Sequence, residues 1–200
     1  MQYSKFLLAA ISIGSAIANP VVSGWAPFNN AAVAVANVNV VVQQEAANIN
    51  AATTGVHSAD NLAKVHNSLL RVGQTMNGLL PTVLALGTAG PNSLSKEQLA
   101  AIPKFQKDYH NVLVNIELIG KRVTGGNLDQ NSIAEVKPEL QWVLASPAPI
   151  ARPLIAFIDV AAPKQYATYS YWTPYLVNIE ALIVVVLGPI ALALGIDISI

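Results

Sequence analysis

Two stretches of this chain carry apolar side chains at alternating intervals of three and four. Leu62, Val65, Leu69, Val72, Met76 and Leu79 form the first; Ile102, Phe105, Tyr109, Val112, Ile116 and Ile119 form the second. A 3–4 step keeps one stripe facing a neighbour along an α-helix, whereas a strand alternates its faces at period two. Both stretches therefore predict helices packed on other helices.

Local signals bound the elements. Ser58 is placed to cap the first stripe, with Asp60 in its opening turn, and Pro81 to end or kink it. A short helical turn is expected before the loop from Gly87 to Pro91. The second stripe opens on Ser95-Lys96-Glu97-Gln98, a capping box, is expected to kink at Pro103, and closes through Gly120 and Gly125-Gly126 behind Lys121-Arg122. A second capping-box pattern, Ser132-Ile133-Ala134-Glu135, predicts a fourth helix carrying Val136, Leu140 and Val143, kinked at Pro138. Pro147, Pro149 and Pro153 should then break the chain, leaving a short helix from about Arg152 to Ala161. Ahead of these, Asn29-Asn30 can cap a helix that runs to Thr54 and stops at Gly55. Val33, Val35, Val38, Val40 and Val42 partly alternate there, so a strand is the competing reading. The expected architecture is all-α: an antiparallel bundle of four to five long, Pro-kinked helices with a very apolar C-terminal helix. Leu62, Val65, Leu69, Val72, Phe105, Tyr109, Val112 and Ile116 should share one core.

The ends read differently from the middle. Lys5, the apolar run Phe6–Ile13 and Ala16-Ile17-Ala18 make residues 1–18 a secretory signal peptide cleaved after Ala18. Residues 19–29 then form an extended segment, and 30–200 a single helical domain whose C-terminal helix spans 176–196. Ala181 to Ile196 carries no charge, and Tyr166, Tyr169, Tyr171, Trp172 and Tyr175 crowd just upstream, as at a membrane interface. Three readings stand for this tail. A core or ligand-lining helix fits so apolar a chain. A GPI signal would need small residues at its attachment site, where Ser170-Tyr171-Trp172 stands. A membrane span is short and interrupted by Gly188-Pro189. Residues 181–196 are the route by which the chain would associate with a membrane.

Composition narrows the task. Apolar residues make up 53% and charged residues 11% of the 200 positions, with eleven basic and eleven acidic side chains and no cysteine. A neutral chain offers no field for nucleic acid, and the missing thiols exclude disulfides, Cys nucleophiles and Cys-based metal sites. His57, His66 and His110 show no metal-ligand spacing, and no nucleophile elbow, P-loop or dinucleotide fingerprint occurs. No catalytic residue, metal or cofactor is expected.

The signal peptide, the cysteine-free Ala/Val/Leu-rich helices and Val136-Lys137-Pro138-Glu139-Leu140 followed by Pro-broken helices resemble the fungal hydrophobic surface-binding and cell-wall galactomannoprotein group. They are also similar to small UV-inducible secreted fungal proteins. The resemblance covers roughly residues 30–160 and implies an all-helical protein that binds apolar surfaces or lipids and associates with the cell wall. The aromatic band and the long apolar tail depart from that pattern. The expectation is a secreted, non-enzymatic protein that binds an apolar small molecule or hydrophobic surface. Its contacts would be Tyr169, Tyr171, Trp172, Tyr175, Leu182, Val185, Leu187 and Leu192. The alternative is a structural or host-interaction protein with no small-molecule ligand.

Overall fold

The computed structural model describes residues 25–88, 94–161 and 187–195. The expected signal segment with its cleavage site at Ala18, and Tyr169, Tyr171, Trp172, Tyr175, Leu182 and Val185, lie outside them. Among the described residues the fold is all-α, with no strand: α1 (Ala26–Thr54), α2 (Ala59–Leu84) continued by a 3-10 turn (Ala85–Thr88), α3 (Lys96–Gly125), α4 (Gln130–Ala145), α5 (Ala148–Ala161) and a short α6 (Gly188–Leu194).

The valine-rich stretch is helical, and burial explains its misleading alternation. Val35, Val38 and Val42 join Phe28, Ala31, Ala46, Ile49 and Ala52 in a 3–4 stripe facing the core, while Val33 and Val40 point outward. The stripe was masked because alanines supply much of the inside and valines part of the outside. α1 also starts earlier than the asparagine cap implies. Its N-cap is Trp25, without a side-chain cap, and Pro27 occupies the first turn. There the missing N–H costs nothing, because that donor has no intrahelical partner anyway. Residues 26–29 are therefore helical rather than extended.

Two caps behave as expected. Ser58 accepts from the Asn61 N–H at 3.2 Å, and Ser95 with Gln98 forms the complete reciprocal box. The third does not. α4 is capped by Asp129, whose carboxylate accepts from the Ser132 N–H at 2.7 Å, and Ser132 itself is buried in the first turn. A charged acceptor at the positive end of a helix outcompetes a hydroxyl three residues on. The Ser132 N–H bond, ahead of smaller contributions including nearby His57, holds the Asp129 carboxyl below its ordinary value of 3.8. A depressed carboxyl stabilises the fold fully above that ordinary value and loses its contribution as pH falls through the lower, folded one. Asp129→Asn should therefore keep the cap but flatten this acid limb of a stability–pH curve. An unchanged acid limb would remove Asp129 as its source.

Pro81, Pro103 and Pro138 do not end their helices. All three sit on exposed positions inside α2, α3 and α4, where water can satisfy the carbonyl that lacks an N–H partner. Pro147 does break the chain. Its absent N–H would have served Val143, and the Ser146 hydroxyl donates to that carbonyl instead, at 2.8 Å. The Pro147 carbonyl then starts α5 by accepting from the Ile150 and Ala151 N–H groups, and buried Tyr109 donates to the same oxygen at 3.0 Å. α5 consequently begins at Ala148, before Arg152. With 16 and 14 residues, α4 and α5 together match α3 at 30, so they act as one broken column of the bundle.

From α1 to α4 successive helices run antiparallel, yet α1 packs most extensively along both α2 and α3, and α4 closes against α2 and α3. In that ring α1 and α3 are parallel neighbours, clamped at both ends. At the start of each, Gln98 binds the Trp25 backbone; at the finish, the Asn127 N–H donates to the Thr53 carbonyl at 2.8 Å. Gly126 permits the second clamp, since a Cβ there would sit 2.7 Å from the Thr53 Cβ. One continuous apolar cluster fills the ring, drawing on every column and on Leu187 and Ile190 at the start of α6. Of the expected core, Leu62 alone is only partly buried.

α4 lies against α2 through Trp142, whose ring covers Gly73. A Cβ on Gly73 would meet ring carbons at 2.5–2.8 Å, whereas one on Gly78 in the same helix would meet nothing within 4 Å. Replacing glycine in a helix interior by alanine gains up to about 1 kcal/mol where space allows, while overpacking costs about 1–3 kcal/mol. Gly78→Ala should raise the denaturation midpoint and Gly73→Ala should lower it. Equal shifts would mean that Trp142 does not rest on Gly73.

Candidate binding site

The two expected contact residues inside the described region take opposite roles. Leu187 is fully buried, as are Ile190 and Ala191 nearly so, while Leu192 is 83% exposed. Ile190 anchors α6 on α3 at Gly120, where a Cβ would stand 3.0 Å from its terminal methyls. Leu187, expected as a contact residue, packs in the apolar core. Leu192 is presented to solvent from an anchored segment that ends on Gly195 in the left-handed region, φ 64°. Among the described residues no helix is long and apolar enough to cross a membrane.

A second feature was not expected from sequence. Between α1 and α2 lies an open cleft of about 460 Å³ lined by Glu45, Asn48, Ala51, Ala52, Asn61, Lys64, Asn67, Ser68 and Arg71. Glu45 occupies a core-facing position of α1 and is 2% exposed. Its Oε2 accepts from the Ser68 hydroxyl at 2.8 Å and from Asn48 Nδ2 at 2.9 Å. Its Oε1 lies 3.1 Å from Arg71 Nη1, too bent for a hydrogen bond, so that contact is charge against charge. A buried carboxylate needs such partners, because an unpaired one loses its hydration without compensation. Lys64 stands one heptad before Arg71 on α2, and its only hydrogen bond among the described residues is to the Asn61 side-chain oxygen, at 3.3 Å. Sequence periodicity hid this site because Glu45 falls in register with the apolar stripe and Ser68 beside it.

The histidines make long acid contacts: His57 Nε2 to Asp129 Oδ2 and His66 Nδ1 to Glu139 Oε1, each at 3.6 Å. No group of three or more His, Cys, Asp or Glu among the described residues could hold a metal ion. Tyr109 is fully buried, and burial pushes its phenol above the ordinary value, so it serves as a neutral donor to Pro147.

Fold and cleft thus define a cysteine-free all-α bundle with a polar groove on one side and an anchored apolar segment on another. No family model, curated protein or solved structure matches the chain.

Proposed function

We propose that this chain is an exported, non-enzymatic helical protein that binds apolar molecules or hydrophobic surfaces outside the cell, including at the cell wall. The observation that carries the reading is α6: its inner residues are locked into the core, yet Leu192 stands 83% exposed. An isolated exposed leucine is ordinary. In the sequence it belongs to an apolar tail that follows an aromatic band, and Trp and Tyr combine apolar area with a polar tip. Val33, Val40, Leu84 and Val160 add further exposed aliphatic surface.

One observation favours the alternative, a structural or host-interaction protein. The continuous core among the described residues takes up about a third of the chain's apolar side chains, which make up 53% of its residues. Adsorption decides between them. The protein should bind octyl-coated beads, and oleate should raise its melting temperature in a dose-dependent way. Leu192→Asp should weaken both without lowering stability. Absence of adsorption and of any thermal shift would leave only the structural reading.

A further inference from the structure

The cleft between α1 and α2 has its own chemistry, independent of the apolar reading. Its walls hold amides, a hydroxyl, two cations and one carboxylate, with alanine as the only apolar lining. Those side chains favour a polar occupant over a lipid tail. Hydrogen-bonding capacity is left over there. Asn67 makes no hydrogen bond among the described residues, and Lys64 faces no carboxylate within ion-pair distance. Arg71 is held from beneath by Glu45, leaving the rest of its N–H edge to the cleft it lines. A guanidinium fixed in this way is pre-organised for an oxyanion, because its donors form a rigid planar fork. One acceptor also remains on the wall, the side-chain oxygen of exposed Asn67, whereas Glu45 Oε1 is buried against Arg71. The Asn67 oxygen cannot accept from a deprotonated anion, but it can accept from a hydroxyl.

We infer that this cleft binds a small hydroxylated anion, with its carboxylate or phosphate between Lys64 and Arg71 and a hydroxyl donating to the Asn67 side-chain oxygen. The two cations sit seven residues apart on one face of α2, about 10 Å along the axis, and a cleft of about 460 Å³ falls within the range of small-ligand pockets. Net charge at the site is positive, since Glu45 offsets only one cation. An anion lacking hydroxyls forgoes the Asn67 contact, and a neutral polyol forgoes the two cations. Either half alone should bind weakly.

The test is a titration of the full chain followed by amide NMR shifts, at constant ionic strength. Glucuronate and glucose 6-phosphate supply the two anionic heads on a hydroxylated frame; glucose and inorganic sulfate supply each half alone. Saturable shifts at Asn67, Ser68 and Arg71 are expected with one or both sugar anions, and whichever binds tighter identifies the head group. Glucose and sulfate should bind at least about tenfold more weakly. Lys64→Gln should weaken the sugar anion about tenfold with unchanged melting, and Arg71→Lys should abolish binding, because a lysine has no fork. If Arg71→Lys fails to fold, Lys64→Gln and Asn67→Ala, both at exposed positions, carry the test. Absence of saturable shifts, equal shifts with sulfate, or parental affinity in these variants would overturn the inference.

Discussion

Phe28→Ala is expected to lower the unfolding free energy by about 3–5 kcal/mol, the range for deleting a buried aromatic ring. Phe28 sits at the start of α1 and is 1% exposed. Its ring lies 5.6 Å from Phe105 of α3 and 5.8 Å from Phe157 of α5, and Phe157 in turn stacks on Trp25 at 6.0 Å. Three columns far apart in sequence therefore meet on one side chain. Truncation leaves a void walled by two large rings that cannot both collapse into it, so the penalty includes a cavity as well as lost burial. For a domain of this size the melting temperature should fall on the order of 10 °C. Phe28→Leu, which keeps most of the volume, should cost clearly less. Urea denaturation followed by tryptophan fluorescence measures both, since Trp25 belongs to the cluster. A loss below about 1 kcal/mol for Phe28→Ala would mean that the aromatic junction does not form.

The second large effect is expected at Gln98. Its amide oxygen accepts from the Trp25 and Ser95 N–H groups at 3.0 and 3.1 Å, while its amide nitrogen donates to the Trp25 carbonyl at 2.9 Å and to Asn29 Oδ1 at 2.8 Å. All four bonds end on one side chain that is 1% exposed. Gln98→Leu keeps the approximate volume but strands the partly buried Trp25 and Ser95 N–H groups, while the Trp25 carbonyl keeps the Phe28 N–H at 3.2 Å. An unsatisfied buried polar group costs about 1–3 kcal/mol, so the substitution should cost about 2–4 kcal/mol in total. Ser95→Ala removes one half of the capping box and should cost only about 1 kcal/mol. Double-mutant analysis with Asn29→Ala would report coupling, since Asn29 bonds the same amide. Equal costs for Gln98→Leu and Ser95→Ala would show that Gln98 is a cap and not a clamp.

The two stripes on α2 and α3 were readable because leucine, isoleucine and valine occupy their inner positions and polar residues their outer ones. On α1 the same stripe exists but was blurred by alanines inside and by Val33 and Val40 outside. Small residues suit a helix flanked closely on two sides, and that flanking is a tertiary fact. Capping was legible where a single candidate stood, at Ser58 and Ser95. It misled at Ser132, where Asp129 competes three residues earlier and only the loop geometry selects between them. The candidate contact residues divided for a related reason: helical spacing put Leu187 and Leu192 in an apolar run, but only contact with α3 sorted one inward and one outward.

The sequence by itself determined that the described chain would be helical, because 3–4 spacing, caps and Pro/Gly stops are local and each acts within a turn or two. It also removed disulfides from the fold by omitting cysteine. Tertiary structure alone decided that α1 and α3 would be parallel neighbours, that α4 and α5 would share one column, and that Glu45 would meet Ser68 and Arg71 in a cleft. These outcomes depend on which stripes face one another across the bundle. That choice rests on shape fit, such as Trp142 on Gly73 and Ile190 on Gly120, and on pairing of buried polar groups between residues more than twenty positions apart, which no local pattern encodes.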